Sequence, residues 1–178
     1  MTVALAYRET LPFAWHAAPA GDSEPPALWV EQNLRLLTAV ATLNERARVE
    51  AETPGAVEFE RLHHKFDLMI ELLGALLRAT QGLPAPWPLR IGGESLSWPL
   101  EAGAPAVGSV VDVTVYLHPA APAAWRWRGT VEAHRDGELV LRYAGMPEAL
   151  ASALERQVFI RHRRSVADAR SPAHRGEV

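Results

Sequence analysis

Six large apolar residues, Phe59, Leu62, Phe66, Met69, Leu73 and Leu76, fall alternately three and four positions apart. That spacing lays one apolar seam along a helix, and a strict seven-residue repeat favours packing the seam on another helix. A second stripe, Leu68, Leu72 and Ala75, runs beside it, and Ile70 and Leu77 widen the first. A two-stranded coiled coil needs only one narrow seam. Two apolar faces therefore predict contacts on two sides: an earlier helix folded back on one, and helices of other subunits on the other. An intramolecular hairpin packed on the rest of the domain is the competing arrangement.

The flanking patterns set the remaining elements. Val3, Leu5 and Tyr7 alternate as in one short strand before the chain turns to Pro, Ala and Gly. Pro25 and Pro26 suit the first turn of a helix. From Ala27 to about Glu52 the period is helical, with Val30, Leu34, Leu37 and Ala41 on one stripe and Leu36, Val40, Leu43 and Ala47 beside it. Thr53-Pro54-Gly55 breaks that helix, since proline lacks the amide that a helix needs. The seam helix then runs from about Ala56 to Thr80, stopping near Gly82 and Pro84. Leu83-Pro84-Ala85-Pro86-Trp87-Pro88 reads as a stiff extended connector.

Beyond it the period becomes two. Leu96, Trp98 and Leu100 alternate, then Val111, Val113, Val115 and Leu117, then Trp125, Trp127, Val131 and Ala133 with Arg126, Arg128, Thr130 and Glu132 opposite. Asp136-Gly137 marks a hairpin turn into Leu139, Leu141 and Tyr143. Met146-Pro147 opens a last helix with Leu150, Leu154 and Val158 on one face. Strands in close succession, closed by a helix, predict a small antiparallel barrel. The predicted fold class is α+β: an N-terminal arm over residues 1–26, a helical oligomerisation stem over 27–82, a barrel with its C-terminal helix over 88–165, and a disordered tail over 166–178.

Composition narrows the function. The chain has 178 residues and a net charge of -3, so no general basic field argues for nucleic acid or an anionic membrane. The charge is uneven: residues 155–178 carry six Arg against three acidic residues, leaving the rest near -6. The absence of cysteine rules out disulfides and thiolate metal sites and agrees with a cytoplasmic location. No apolar run reaches the ~20 residues of a membrane span, and the N-terminus does not read as a secretory signal.

The run Leu89-Arg90-Ile91-Gly92-Gly93-Glu94-Ser95-Leu96-Ser97-Trp98 resembles the entry of a PilZ domain. So do the Gly108-centred approach to the Val110–Leu117 strand, the strand Trp127-Arg128-Gly129-Thr130-Val131, and the terminal helix from Leu154 to Arg164. The resemblance implies a six-stranded barrel with a C-terminal helix, a fold in which many members receive cyclic di-GMP. It also implies assembly, because some divergent members carry a helical extension with heptads and form oligomers up to tetramers. Two motifs carry the ligand in that family, an Arg-x-x-x-Arg entering the barrel and an Asp/Asn-x-Ser-x-x-Gly on an early strand. Guanidinium groups pair with phosphate oxygens and stack on guanine.

Here the first motif is missing, since the connector before Leu89 holds no arginine and Arg78 has no partner four residues away. In the second, Arg90, Gly92 and Ser95 take the Asp/Asn, Ser and Gly places, and none matches. The resemblance thus implies a non-catalytic adaptor, active in signalling that governs motility or pili. It would assemble as a tetramer or dimer through Phe59, Leu62, Phe66, Met69, Leu73 and Leu76, engage an unidentified protein partner, and need no cofactor. The alternative is a cyclic di-GMP receptor that uses a different set, Arg90, Arg126, Arg128, Arg161 and Arg164.

Other chemistry reads as structural. His63 and His64 point roughly 100° apart on a helix and cannot share a metal. His118, His134 and His162 have no matched ligand spacing. Ser95 and Ser97 sit in no nucleophile elbow. Alternation along Trp125-Arg126-Trp127-Arg128 predicts two buried tryptophans and two exposed arginines, as in a barrel wall.

Overall fold

The computed structural model describes residues 5–44 and 55–170. Strand β1 (Ala6–Ala17) is followed by helices α1 (Ala27–Asn44) and α2 (Ala56–Gln81). Strands β2 (Pro86–Gly92), β3 (Ser95–Pro99), β4 (Val110–Val115), β5 (Trp125–Arg135) and β6 (Glu138–Tyr143) come next, and helix α3 (Glu148–Arg170) ends the described chain. The six strands close an antiparallel barrel in the order β1-β2-β3-β6-β5-β4.

Closure falls to β1. Its first half pairs with β2, from Ala6 opposite Gly92 to Pro12 opposite Pro86, and its second half pairs with β4, from Phe13 opposite Val115 to Ala17 opposite Val111. The strand changes partner at Pro12, whose carbonyl accepts from the Tyr116 amide at 3.1 Å. Residues 6–17 of the expected arm are instead a wall of the barrel, burying Tyr7, Leu11 and Phe13, while Val3 lies outside the described residues. Pro86 and Pro88 stand in β2 itself, where only β1 pairs with it; a strand end without a second neighbour tolerates a missing amide.

Inside, Trp98, Trp125 and Trp127 are fully enclosed with Leu96, Leu139 and Leu141. The Phe13 ring lies 4.9 Å from Trp98, and Trp125 lies 6.5 Å from Trp127. The Trp127 indole donates to the Ala144 carbonyl at 2.8 Å, which satisfies a polar atom that burial would otherwise leave bare. At the β5–β6 hairpin, Asp136 and Gly137 both take positive φ, 54° and 76°, the two-residue turn whose twist suits antiparallel strands. An irregularity between Val131 and Ala133 re-aims the end of β5, so Ala133 is only half-buried.

Helix α3 covers the barrel with Leu150, Leu154 and Val158 and runs on to Arg170, past the expected end at 165. Helix α1 starts at Ala27 and packs on α3 and β5 through Leu36, Leu37 and Val40. It does not fold back on α2. The expected helical hairpin is replaced by a barrel-bound α1 and a separate α2. Ala47 and the Thr53-Pro54 break lie outside the described residues, as does the tail beyond Arg170.

Asn33 joins α1 to the barrel. It is 1% exposed and its amide brackets the main chain of one β5 residue, donating to the Arg126 carbonyl at 2.7 Å and accepting from the Arg126 amide at 3.2 Å. Arg126 lies beyond the last β5–β6 pair, Gly129 with Tyr143, so the side chain takes the place of the missing strand. Asn33→Ala is expected to cost about 1–3 kcal/mol for each backbone group left bare. A lowered urea midpoint at an unchanged m-value would record it.

Candidate functional site

The first candidate region is the turn between β2 and β3. Arg90 is exposed on the outside of β2, opposite Arg8 and Ser97 in the register. Gly92 is buried, and a Cβ on Gly93 would come within 2.9 Å of the Glu155 side chain on α3. Glu94 and Glu155 share a cleft of about 680 Å3 there with Leu5, Phe159 and Arg156. Glu94 also pairs with Arg142 at 3.3 Å, so two carboxylates meet two guanidiniums and no positive charge is left over for a ligand with two phosphate charges. The place where the family motif would sit is thus closed to a larger side chain at Gly93 and offers no surplus of positive charge to a dinucleotide.

The arginines of the alternative set are scattered. Arg128 is not exposed: its side chain is 3% accessible, on an outer barrel face that α1 and its approach cover. Its Nε and Nη2 donate to the two Asp112 oxygens at 2.7 and 2.9 Å, and Nη1 donates to the Glu24 carbonyl at 2.7 Å. Asp22 stands 3.6 Å away and the Trp29 ring 6.0 Å from the guanidinium. Strand parity correctly put Arg128 outside but could not foresee that another segment lies on that outside.

Arg161 of α3 pairs with Glu9 of β1, and Arg164 donates to the Asn44 side-chain oxygen at 2.5 Å and to its carbonyl at 2.6 Å. Three of the five are thus committed within the chain. Arg90 and Arg126 have no side-chain partner among the described residues, but β2 and β5 lie across the barrel from one another in the strand order. The set does not converge on one ligand.

Glu9 shares the strand face of Tyr7 and Leu11. Burial raises its pKa although Arg161 pulls it down, and burial followed by the Glu9 charge raises the Tyr7 phenol. His118 is half-buried after β4 and accepts from the Ala120 amide at 3.1 Å. Burial lowers its pKa, and Arg161 and Arg164 act in the same direction. The unfolded chain takes up that proton first, so His118 costs stability as pH falls below its ordinary value of 6.5. Glu9 works the other way: its stability contribution is fullest when protonated and is lost as pH rises through its raised pKa. Between about pH 7 and 5, His118→Gln should therefore lose less stability than the parent chain, read as the difference between two urea-unfolding series.

The second candidate region is α2. Among the described elements it packs on no other helix or strand. Its own-chain contact is the loop after β4, where Arg78 donates to the Pro119 carbonyl at 2.8 Å. A Cβ on Gly74 would lie 2.7 Å from that oxygen, so only glycine allows this approach. Ile70 and Leu77 are half-buried, whereas Phe59, Leu62, Phe66, Met69, Leu73 and Leu76 are 44–62% exposed, and Leu68 and Leu72 of the second stripe are exposed too. Neither apolar face of α2 is covered. His63 lies half-buried with its ring 4.4 Å from Phe59. No helix of the described residues is long and apolar enough to cross a membrane.

A closed six-stranded barrel capped by a C-terminal helix, with a helical element inserted after its first strand, is the architecture of a PilZ-like signalling domain. The family model for the atypical PilZ domain, described as a cyclic di-GMP receptor, matches residues 34–171. The chain belongs to the atypical PilZ family. One similar solved structure is a pathogenic protein from Xanthomonas campestris, described as a tetrameric PilZ domain self-assembled via an unusual helical bundle. It superimposes with a TM-score of 0.66 over 93% of this chain and 92% of that one, at 22% identity, and supports the fold. No curated protein matches the chain.

Proposed function

We infer that this chain is a non-catalytic PilZ signalling adaptor of the cytoplasm that self-assembles through α2 and does not bind cyclic di-GMP by the usual motifs. The observation that carries the reading is the uncovered apolar surface of α2. Burying one Leu, Phe or Met side chain contributes ~1.5–3 kcal/mol, and eight such residues stand exposed on one helix. Contacts on two faces suit a bundle of more than two helices. The tetrameric relative supports such an arrangement by its likeness of fold. A bundle of α2 helices would present several barrels together, a geometry fitted to engaging protein partners.

The family's description as a cyclic di-GMP receptor favours a second reading, direct binding. Against it stand the missing entry arginines, the carboxylates around the β2–β3 turn and the internal pairing of Arg128, Arg161 and Arg164. A charge-assisted hydrogen bond contributes ~1.5–3 kcal/mol, and tenfold in affinity is about 1.4 kcal/mol, so losing several moves binding out of the micromolar range. Calorimetric titration of the full chain with cyclic di-GMP is expected to give no saturable heat at low-micromolar concentration. Saturable binding there would establish the receptor reading in place of the adaptor.

A further inference from the structure

A groove of about 390 Å3 lies between α1 and α3, lined on one side by Thr38 and Thr42 and on the other by Ser152, Arg156 and Gln157. No carboxylate lines it. Arg156 also borders the cleft of Glu94 and Glu155, but it is exposed and makes no ion pair among the described residues. Gln157 is 3% exposed and its amide nitrogen has no hydrogen-bond partner, an arrangement rare for a buried donor. Across the groove, Thr38 donates to the Leu34 carbonyl at 2.8 Å and Thr42 to the Thr38 carbonyl at 3.1 Å. Their protons are spent, so these hydroxyls offer lone pairs. The α3 wall thus presents a cation and the Ser152 hydroxyl above a buried Gln157 amide, and the α1 wall presents acceptors.

We propose that the α1–α3 groove binds a small anion bearing hydroxyl groups, of the sugar monophosphate class. The phosphate takes the Arg156 guanidinium and the Ser152 hydroxyl, and the sugar hydroxyls donate to Thr38 and Thr42. A guanidinium matches phosphate geometry in two parallel bonds. The volume is near the lower end of the ~300–1,000 Å3 of small-molecule sites, which suits one sugar phosphate better than a dinucleotide. The site shares no residue with α2.

The test uses the full chain and ribose 5-phosphate, by calorimetry and by the shift in unfolding temperature. Saturable binding is expected, weakened at least about tenfold by Arg156→Ala, a change at an exposed position that leaves the core intact. Thr42→Val, on the opposite wall, should weaken ribose 5-phosphate but not inorganic phosphate. No saturable binding up to about 10 mM, binding undiminished in Arg156→Ala, or inorganic phosphate binding as tightly as the sugar phosphate (an adventitious ion only) would each overturn the assignment. Displacement of ribose 5-phosphate by micromolar cyclic di-GMP would overturn it as well, by placing a larger ligand in the groove.

Discussion

A chain carrying both Phe66→Glu and Leu73→Glu should leave a light-scattering column at its protomer mass of 19.5 kDa, whereas the parent chain elutes at a multiple of it. Both positions lie on the exposed seam of α2, a helix that packs on no other described helix or strand. In an assembled bundle each new carboxylate would lose its water among apolar side chains, a cost that removes the gain of association. The barrel does not use these side chains, so thermal unfolding of the monomeric variant should report an intact core. Glu71→Gln, on the polar side of the same helix, serves as the control and should leave the mass unchanged. An unaltered mass in the double variant would show that the seam is not the interface and would remove the support for self-assembly through α2.

The second large effect concerns Arg128. Arg128→Met is expected to destabilise the chain by about 3 kcal/mol, at the low end for breaking a buried pair because Asp112 keeps some solvent contact. For a chain of this size that corresponds to a fall in unfolding temperature of roughly 6–12 °C. The loss has two parts: Asp112 left without its partner, and the Glu24 carbonyl left without a donor. Arg128→Met combined with Asp112→Leu should recover part of it, because two apolar neighbours avoid the uncompensated charge. If Arg128→Met unfolds with the parent chain, the clamp holding the approach to α1 on β5 contributes nothing.

These two residues also show what a one-dimensional pattern can carry. The period-two runs Val111-Val113-Val115 and Leu139-Leu141 became β4 and β6, and the seven-residue repeat became α2, because each pattern is set by local geometry. Parity assigned Arg128 to the outer face but held no record of what covers that face, since Asp22, Glu24 and Trp29 come from a distant stretch. The partner of α1 was unreadable for the same reason: Leu36, Leu37 and Val40 announce a buried side, not whether α2 or the barrel buries it. Of β1 only the start was legible, in the alternation that ends at Tyr7; its pairing is wholly non-local and its later half, Pro12-Phe13-Ala14-Trp15-His16-Ala17, alternates too weakly to suggest a strand. In the candidate sites, the erosion at Arg90, Gly92 and Ser95 was legible from residue type alone. The dispersal of the five arginines and the α1–α3 groove needed the fold.

The two-partner pairing of β1 has a consequence for how the molecule is made. Its first strand leaves the ribosome early but cannot be enclosed until β2 and β4, the latter ending at Val115, have followed. Long-range strand pairing of this kind is slow to form. By then α2 has already emerged with both of its apolar faces uncovered, so the greasy rod stands in water before the barrel beside it has shut.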